Sequence, residues 1–277
     1  MALALGSCGT TALAQGDVRR GEYLAKAAGC KGCHTEAKEG AMPFAGGRAL
    51  QTPFGTFYGP NITSHPQAGI GRWSEADFRR SLRRGERADG AHYYPAFPYP
   101  SFSRITDADA RDLWTYFRSL PPSVRANRPH DLWFPSDWRF VMAGWKWLYF
   151  TPAPFQSDPA RTPQVNRGAY LVNALGHCGE CHTPRNWLGA PRRDRHLAGA
   201  NLADGAGAPN LTPARLKKWS DTELVDFLKF GLTPDGDVAG ETMGEVIRNS
   251  TSQLTPEDLA AVVAYLRSLP PIAGETD

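Results

Sequence analysis

The sequence has little net charge and no long hydrophobic run. Its 31 basic and 28 acidic residues leave a formal net charge of +3, and the basic residues form no continuous run. Nucleic acid is therefore not expected as a partner. A membrane-spanning helix needs about 20 consecutive apolar residues, and the best internal stretch, residues 140–150, is shorter and contains Lys146. We therefore expect a mature chain that dissolves in water.

Long regular elements are also scarce. The 277 residues include 28 glycines and 23 prolines, and only 41% are hydrophobic. Glycine and proline together exceed the roughly 12% of average usage, which predicts many loops and modest cores. No stretch alternates apolar and polar residues for long, so little β-sheet is expected.

The N-terminus is typical of an export signal. Residues 1–14 carry no charged side chain and end in Ala12-Leu13-Ala14, a small-x-small cleavage pattern. We predict cleavage after Ala14 and a location in the periplasm. Two alternatives stay open. Leu5-Gly6-Ser7-Cys8 resembles a lipoprotein box, in which Cys8 is lipidated and holds the protein at a membrane, and the segment could also be an ordinary N-terminal arm.

Four of the five cysteines form a motif that occurs twice. The two pentapeptides are Cys30-Lys31-Gly32-Cys33-His34 and Cys178-Gly179-Glu180-Cys181-His182. C-x-x-C-H is the attachment pattern of a c-type haem, in which two thiols on one helical turn reach the two vinyl groups and the next imidazole faces the iron. We therefore predict two covalent haems. Their covalent links are Cys30, Cys33, Cys178 and Cys181, and their proximal iron ligands are His34 and His182.

Other readings of the cysteines are weaker. A Cys₄ zinc site leaves both trailing histidines unexplained, and a thioredoxin-like redox pair needs a βαβ context that the flanking sequence lacks. Disulfides are compatible with export but do not explain the repeated histidine.

The chain is a duplication. Arg20-Gly21-Glu22-Tyr23-Leu24 matches Arg167-Gly168-Ala169-Tyr170-Leu171, and later pairs follow in the same order at offsets between 146 and 149 residues. They are Pro60-Asn61-Ile62-Thr63 with Pro209-Asn210-Leu211-Thr212, Trp73-Ser74 with Trp219-Ser220, and Ser119-Leu120-Pro121-Pro122 with Ser268-Leu269-Pro270-Pro271. A nearly constant offset indicates one fold written twice. We predict domains at residues 15–122 and 164–277, joined by a linker at 123–163.

Each copy is predicted to form a few helices among loops. Apolar spacing predicts a helix over Asp17 to Ala28, and Ser74 and Ser220 are predicted helix N-caps. Thr106 and Thr255 are predicted to begin the last helix of each copy.

These features together resemble the two-domain dihaem class I cytochromes c, and also the cytochrome subunits of periplasmic sugar and alcohol dehydrogenases. The resemblance covers nearly all of residues 17–271 and implies an all-α fold of two tandem domains. It further implies that the first and last helices of each domain cross, at Gly21 with Tyr116 and at Gly168 with Tyr265. The family consists of electron carriers.

The second domain has a clear candidate for the sixth iron ligand. Met243 lies 61 residues after His182 and is the only methionine after Met142. A thioether favours ferrous iron, so a His/Met haem has a relatively high reduction potential. A methionine that merely fills the core is the alternative.

The first domain departs from the family. Where the family pattern is Leu-Tyr-Pro-Ala-Met-Pro-Tyr, this chain reads Tyr93-Tyr94-Pro95-Ala96-Phe97-Pro98-Tyr99. Phenylalanine cannot bind iron. Three outcomes stay open: His92 as ligand, Tyr93 or another oxygen donor as ligand, or a five-coordinate iron. His92 could equally be a surface loop residue.

Several other residues are weaker candidates. Trp73 and Trp219 could donate an indole N–H to a haem propionate or simply pack against the haem. Arg48, Arg185 and Asn186 are candidate propionate or docking contacts. The linker aromatics, Trp133, Trp138, Trp145 and Trp147, are predicted to pack between the domains; the alternative is an exposed patch that docks a dehydrogenase subunit or a membrane.

The predicted function follows from these parts. The protein is expected to be a periplasmic electron carrier, not an enzyme, that moves single electrons between a dehydrogenase and a cytochrome or oxidase. The alternative is a peroxidase-like or small-ligand site at haem 1. A thiosulfate-oxidising type is disfavoured, since it uses a cysteine ligand and Cys8 is the only cysteine left over.

Overall fold

The fold is mostly helical and consists of two similar halves. The structure, a computed structural model, describes residues 15–202 and 205–274. The first half contains α1 (Val18–Ala27), α2 (Cys30–His34), α3 (Glu75–Arg84), α4 (Tyr99–Phe102) and α5 (Asp107–Ser119), and α6 (Val141–Tyr149) lies between the halves. The second half contains α7 (Pro163–Tyr170), a π-helical turn at Leu171–Leu175, α8 (Gly179–His182), α9 (Pro213–Leu216), α10 (Asp221–Phe230), α11 (Glu241–Asn249) and α12 (Pro256–Arg267).

The predicted helix starts are confirmed. Asp17 caps α1, accepting hydrogen bonds from the backbone N–H groups of its first turn. Ser74 and Ser220 each form a complete capping box, with Asp77 and Glu223 as the reciprocal acidic residues. Thr106 and Thr255 cap α5 and α12, where each side chain accepts a hydrogen bond from one backbone N–H of the first turn. Local sequence therefore determines where these helices begin.

The crossing of the first and last helix in each half is also confirmed. A Cβ added to Gly21 would lie 2.0 Å from the carbonyl oxygen of Asp112 and 2.8 Å from Cβ of Tyr116. At Gly168 the same test gives 1.8 Å to the Ala261 oxygen and 2.7 Å to Cβ of Tyr265. Only glycine allows such a close approach of two helices.

The expectation of little β-sheet is confirmed. Strands β1 (Ala49–Thr52), β2 (Gly55–Tyr58) and β3 (Asp131–Leu132) form an antiparallel sheet in the order β1-β2-β3, and β4 (Ala200–Asn201) pairs with β5 (Gly207–Ala208). All are two to four residues long, too short to give a periodic signal in the sequence.

The two halves are joined by a reciprocal pair of hydrogen bonds. Tyr23 of the first half donates its hydroxyl hydrogen to Asp258 at 2.5 Å, and Tyr170 of the second half donates to Asp109. These two tyrosine bridges are related by the duplication. Each carboxylate also pairs with an arginine of its own half: Asp258 with Arg167, and Asp109 with Arg20.

The linker packs through only part of its aromatic residues. Trp145 is buried, and its indole N–H donates to the Leu188 carbonyl of the second half at 2.9 Å, so it lies between the halves as predicted. Trp133, Trp138 and Trp147 are exposed, Trp147 to 85%. For these three the packing prediction is wrong. Trp133 and Trp138 lie before α6, and within α6 the buried side chains are Trp145 and Lys146, while Trp147 is exposed.

The predicted export signal, with Ala14 and Cys8, lies outside the described residues. Within 15–202 and 205–274, none of the helices has the length and apolar character needed to cross a bilayer.

Candidate haem sites

The two histidines of the C-x-x-C-H motifs have the same environment. Nδ1 of His34 lies 2.8 Å from the carbonyl oxygen of Pro60, and Nδ1 of His182 lies 2.7 Å from that of Pro209. A carbonyl only accepts, so each Nδ1 carries the proton and Nε2 keeps a free lone pair. Burial lowers the pKa of both imidazoles, against the opposing effect of these hydrogen bonds. Both rings are thus neutral at pH 7 and ready to bind a metal through Nε2.

The repeated Pro-Asn-[Ile/Leu]-Thr segments build this environment. The buried Asn61 side chain donates to the Ser123 carbonyl at 2.9 Å, and Asn210 donates to the Ile272 carbonyl at 2.8 Å. Each asparagine therefore fixes the loop whose proline carbonyl holds the histidine. The sequence repeat marked these residues, but their role as supports of the proximal histidine was missed.

The four cysteine residues of the two motifs have similar environments. All four are half-buried, and Cys30 and Cys33 lie on α2 with His34. Burial raises the pKa of the Cys30 and Cys178 thiols to about 12. Two thiols that can form thioether bonds with the vinyl groups, followed by an imidazole that can bind the iron, fit a c-type haem in each half.

The C-x-x-C-H motif of each half packs against the other half, near the residue at the predicted distal position. Helix α2 contacts α11 of the second half. Arg48, which follows in the first half, forms an ion pair with Glu245 of α11 at 2.7 Å. On the other side, Ser101 donates to Glu180 within the second C-x-x-C-H motif at 3.1 Å. The Phe102 ring lies 5.5 Å from the ring of His177, the residue before Cys178. The two candidate haem sites therefore share one interface.

Met243 is the residue that the sequence predicts as distal ligand of the second haem. It is half-buried on the first turn of α11, whose residue Ile247 is in the core. Its role as iron ligand remains a prediction.

Phe97 is surrounded by aromatic rings in the first half. Its ring centroid lies 5.2 Å from that of Tyr93 and 5.6 Å from that of Phe102. Burial raises the pKa of Tyr93 to about 12, so its hydroxyl stays protonated at neutral pH. Met142 of α6 is half-buried against the cluster formed by Tyr99, Trp145 and Ala190, to which Phe97 also packs.

The position of His92 bears on its predicted role as a ligand. Lys146 Nζ lies 3.0 Å from Nδ1 of His92 and donates to the carbonyl oxygens of Arg84 and Gly85 at 2.6 and 2.7 Å. An ammonium only donates, so Nδ1 accepts and the ring proton lies on Nε2. In this arrangement neither nitrogen of His92 has a free lone pair for iron. Ligation by His92 stays a prediction that this geometry does not favour.

The remaining candidates have local partners. Trp73 and Trp219 pack partly buried against the core, each directly before its helix N-cap. Arg185 pairs with Glu180 at 2.5 Å, and Asn186 accepts from the backbone of Leu188 and Ala190 at 3.0 Å. The propionate roles of the tryptophans remain predictions, and Asn186 supports its own loop.

Comparison with known proteins identifies the class. The cytochrome c family model matches residues 18–121 and 165–270, and the chain belongs to the cytochrome c family. The fold of two tandem cytochrome c domains is thereby confirmed. Such domains carry covalently bound haem c, and two matched domains with two cysteine pairs fit two haems.

Individual relatives agree with this class. The chain is 46% identical to the diheme cytochrome c-type protein of Cereibacter sphaeroides, over 93% of this chain and 87% of that protein. It is 42% identical to the fructose dehydrogenase cytochrome subunit of Gluconobacter japonicus and 37% identical to the alcohol dehydrogenase (quinone) cytochrome c subunit of Gluconobacter oxydans. The chain matches 91% and 98% of its own length there but spans only 52% and 59% of those two subunits.

Proposed function

We propose that the protein is a dihaem electron carrier that receives single electrons from a dehydrogenase and passes them to a cytochrome or oxidase in the periplasm. The observation that carries this proposal is the identical pair of neutral imidazoles, His34 on Pro60 and His182 on Pro209, each directly after a cysteine pair. The names of the dehydrogenase subunits among the relatives support the donor. The domains are residues 15–122 and 164–277, with the linker between them.

In this proposal, Cys30 and Cys33 attach the first haem, and Cys178 and Cys181 attach the second. Each haem, when bound, would take up and release one electron reversibly. His34, His182 and Met243 are iron ligands. The proline carbonyls orient the two imidazoles and raise their basicity through the Nδ1 hydrogen bond. The shared interface holds the two sites in one fixed relation, which suits transfer from one to the other.

The attachment is tested by mass spectrometry of the purified holoprotein. The account predicts two haem masses per chain, and the loss of one when either Cys30 and Cys33 or Cys178 and Cys181 are replaced by alanine. Mixing the oxidised protein with a purified quinone-type dehydrogenase and its substrate tests the donor. Haem absorbance should then show reduction only when both are present. A chain with no covalent haem, or haems that stay oxidised, would count against the proposal.

A second candidate function is the binding of a small external ligand at haem 1. Two observations favour it: Phe97 occupies the methionine position among aromatic rings, and Lys146 holds the nearby His92. Carbon monoxide binding to the reduced protein tests this candidate. Binding at half of the haem supports an open first site, and no binding at either haem contradicts it.

A further inference from the structure

The duplication offers a comparison between two equivalent hairpins. The first hairpin, residues 85–92, follows α3 and closes with a bridge between Glu86 and His92. The second hairpin, residues 231–238, follows α10 and closes with a bridge between Leu232 and Val238. Their turns have the same hydrogen bonds and a glycine with positive φ at the same position, Gly90 and Gly236. The two hairpins are therefore structural counterparts, 146 residues apart.

Helix α6 packs on the base of the first hairpin, where Glu86 and His92 are half-buried, while Arg84 and residues 87–90 stay exposed. Lys146 is only 9% exposed and donates to the Arg84 and Gly85 carbonyls, where α3 ends and the hairpin begins. Arg139, just before α6, donates to the His92 carbonyl at 2.7 Å. A single helix with one cation and several aromatic residues thus docks on the hairpin, and its lysine binds the C-terminal carbonyls of the preceding helix.

The second hairpin is uncovered, and it is the more apolar of the two. Phe230, Leu232 and Val238 stand where the first half has Arg84, Glu86 and His92, and they are 66%, 49% and 66% exposed. Isolated exposed apolar residues are ordinary, but three at the end of α10 and on the hairpin that follows it form a patch of the kind that marks an interaction site. The uncovered hairpin therefore has the apolar character of a docking surface.

The charge next to this patch is negative. Glu223 and Asp226 line a groove of about 410 Å³ together with Phe230, Leu232, Thr233 and Pro234. Asp235 and Asp237 are exposed at the tip of the hairpin. The adjacent cation, Lys229, is turned away, because its Nζ donates to the carbonyl of Ser252 at 2.5 Å. A partner with a positive charge beside apolar side chains complements this surface.

We propose that the second hairpin, with Phe230 and the acidic groove, docks an amphipathic helix of a redox partner protein that carries an aromatic side chain and a lysine or arginine. The helix lies as α6 lies on the first hairpin. The hairpin leads directly into α11, which carries Met243, so this partner is held beside the second haem site. That the partner is a redox protein rests on the proposed function; the docking of a helix on this hairpin does not.

The α6 segment itself provides the probe. A fluorescently labelled peptide of residues 137–150 is titrated with the full-length holoprotein, and its fluorescence anisotropy is followed. Saturable binding is expected, and Phe230→Ser with Leu232→Ser should weaken it by about tenfold or more, because two apolar contacts are lost. A peptide with Lys146→Gln should bind more weakly, and added salt should weaken the parent peptide more than the variant.

The matched control is Val124→Ser, which removes an apolar side chain that is 82% exposed outside the hairpin; it should leave binding unchanged. Absence of saturable binding, or equal binding by the hairpin variant, would overturn the proposal.

Sedimentation of the protein alone, or with phosphatidylcholine–phosphatidylglycerol vesicles, tests whether a second copy of the chain or a membrane occupies this surface instead. Self-association or vesicle binding that depends on Phe230 would also overturn it. These are binding readouts, so a failure here leaves the haem content and reduction of the carrier untouched.

Discussion

At the scale of single residues, the two candidate haem sites differ at the predicted distal position, while their histidines make matching hydrogen bonds. Pro60 and Pro209 hold their histidines with nearly the same hydrogen bond, but Phe97 stands where the other half has Met243. Axial ligands set haem potentials over a range of roughly 0.8 V. The chain therefore has the means to give its two haems unlike potentials.

Replacing Phe97 tests the first distal site. Phe97→Met supplies a thioether, so we expect carbon monoxide binding at haem 1 to fall and its reduction potential to rise. Phe97→Leu is the matched control, since leucine offers no donor atom and should keep both properties. Redox titration with optical detection provides the comparison. Equal behaviour of the two variants would contradict a role for this position in ligation.

Replacing Met243 tests the distal site of the second domain. Met243→His should lower the potential of one haem, within the roughly 0.8 V that axial ligands span, because imidazole stabilises ferric iron better than a thioether does. Met142→Leu, a methionine change in the linker, should leave both potentials unchanged. If instead Met142→Leu changes a haem spectrum and Met243→His does not, the ligand assignment is incorrect.

The sequence identifies the two C-x-x-C-H motifs and the unusual Phe97, because short motifs with fixed spacing carry them; the ligand roles of His34 and His182 remain predictions. The sequence does not reveal the Lys146 contact with His92, which joins residues 54 positions apart. No local pattern encodes such a contact, since it depends on how α6 returns to the first half.

At the scale of elements, α6 packs on the base of the first hairpin through Lys146. Lys146→Met keeps the length of the side chain but removes its hydrogen bonds to the Arg84 and Gly85 carbonyls. Leaving buried carbonyls unsatisfied should lower the free energy of unfolding by about 1–3 kcal/mol. Denaturant unfolding of the holoprotein measures this.

Lys26→Met provides the control for that change. Lys26 forms a surface ion pair with Glu22 along α1, so the loss of this pair should cost less than about 0.5 kcal/mol. Equal effects of the two lysine variants would show that α6 is not held by Lys146. The helix starts were predictable because capping residues are local. The burial of Trp145 and the exposure of Trp147 on the same helix were not, because apolar composition alone does not say which face finds a partner.

At the scale of the whole molecule, the two tyrosine bridges make the halves interdependent. Burial opposes ionisation of Asp258, but hydrogen bonds from Arg167 and Tyr23 hold its pKa below the ordinary value. A carboxyl with a lowered pKa stabilises the folded state above its unfolded pKa of about 4, and this contribution is lost as the pH falls through the folded pKa.

Asp258→Asn should therefore reduce stability by about 2 kcal/mol at neutral pH, and the difference from the parent should shrink below pH 4 or so. Thermal unfolding across this pH range measures the effect. Asp107→Asn, an exposed partner of Arg83, should change stability by less than about 1 kcal/mol. A pH-independent loss at Asp258 would contradict the ion-pair account. The duplication predicted two domains but not the two tyrosine bridges between them. Matching residues in the two repeats show that the repeats have the same fold, and they do not show which surfaces of the repeats contact each other.

The central claim is that this chain carries two haems with unlike distal sites in one electron carrier. An EPR-monitored redox titration of the purified holoprotein tests it most directly. The account predicts two one-electron steps at different potentials, one from a low-spin haem and the other from a haem that is high-spin or binds carbon monoxide when reduced. Two low-spin haems of equal potential, both inert to carbon monoxide, would contradict it.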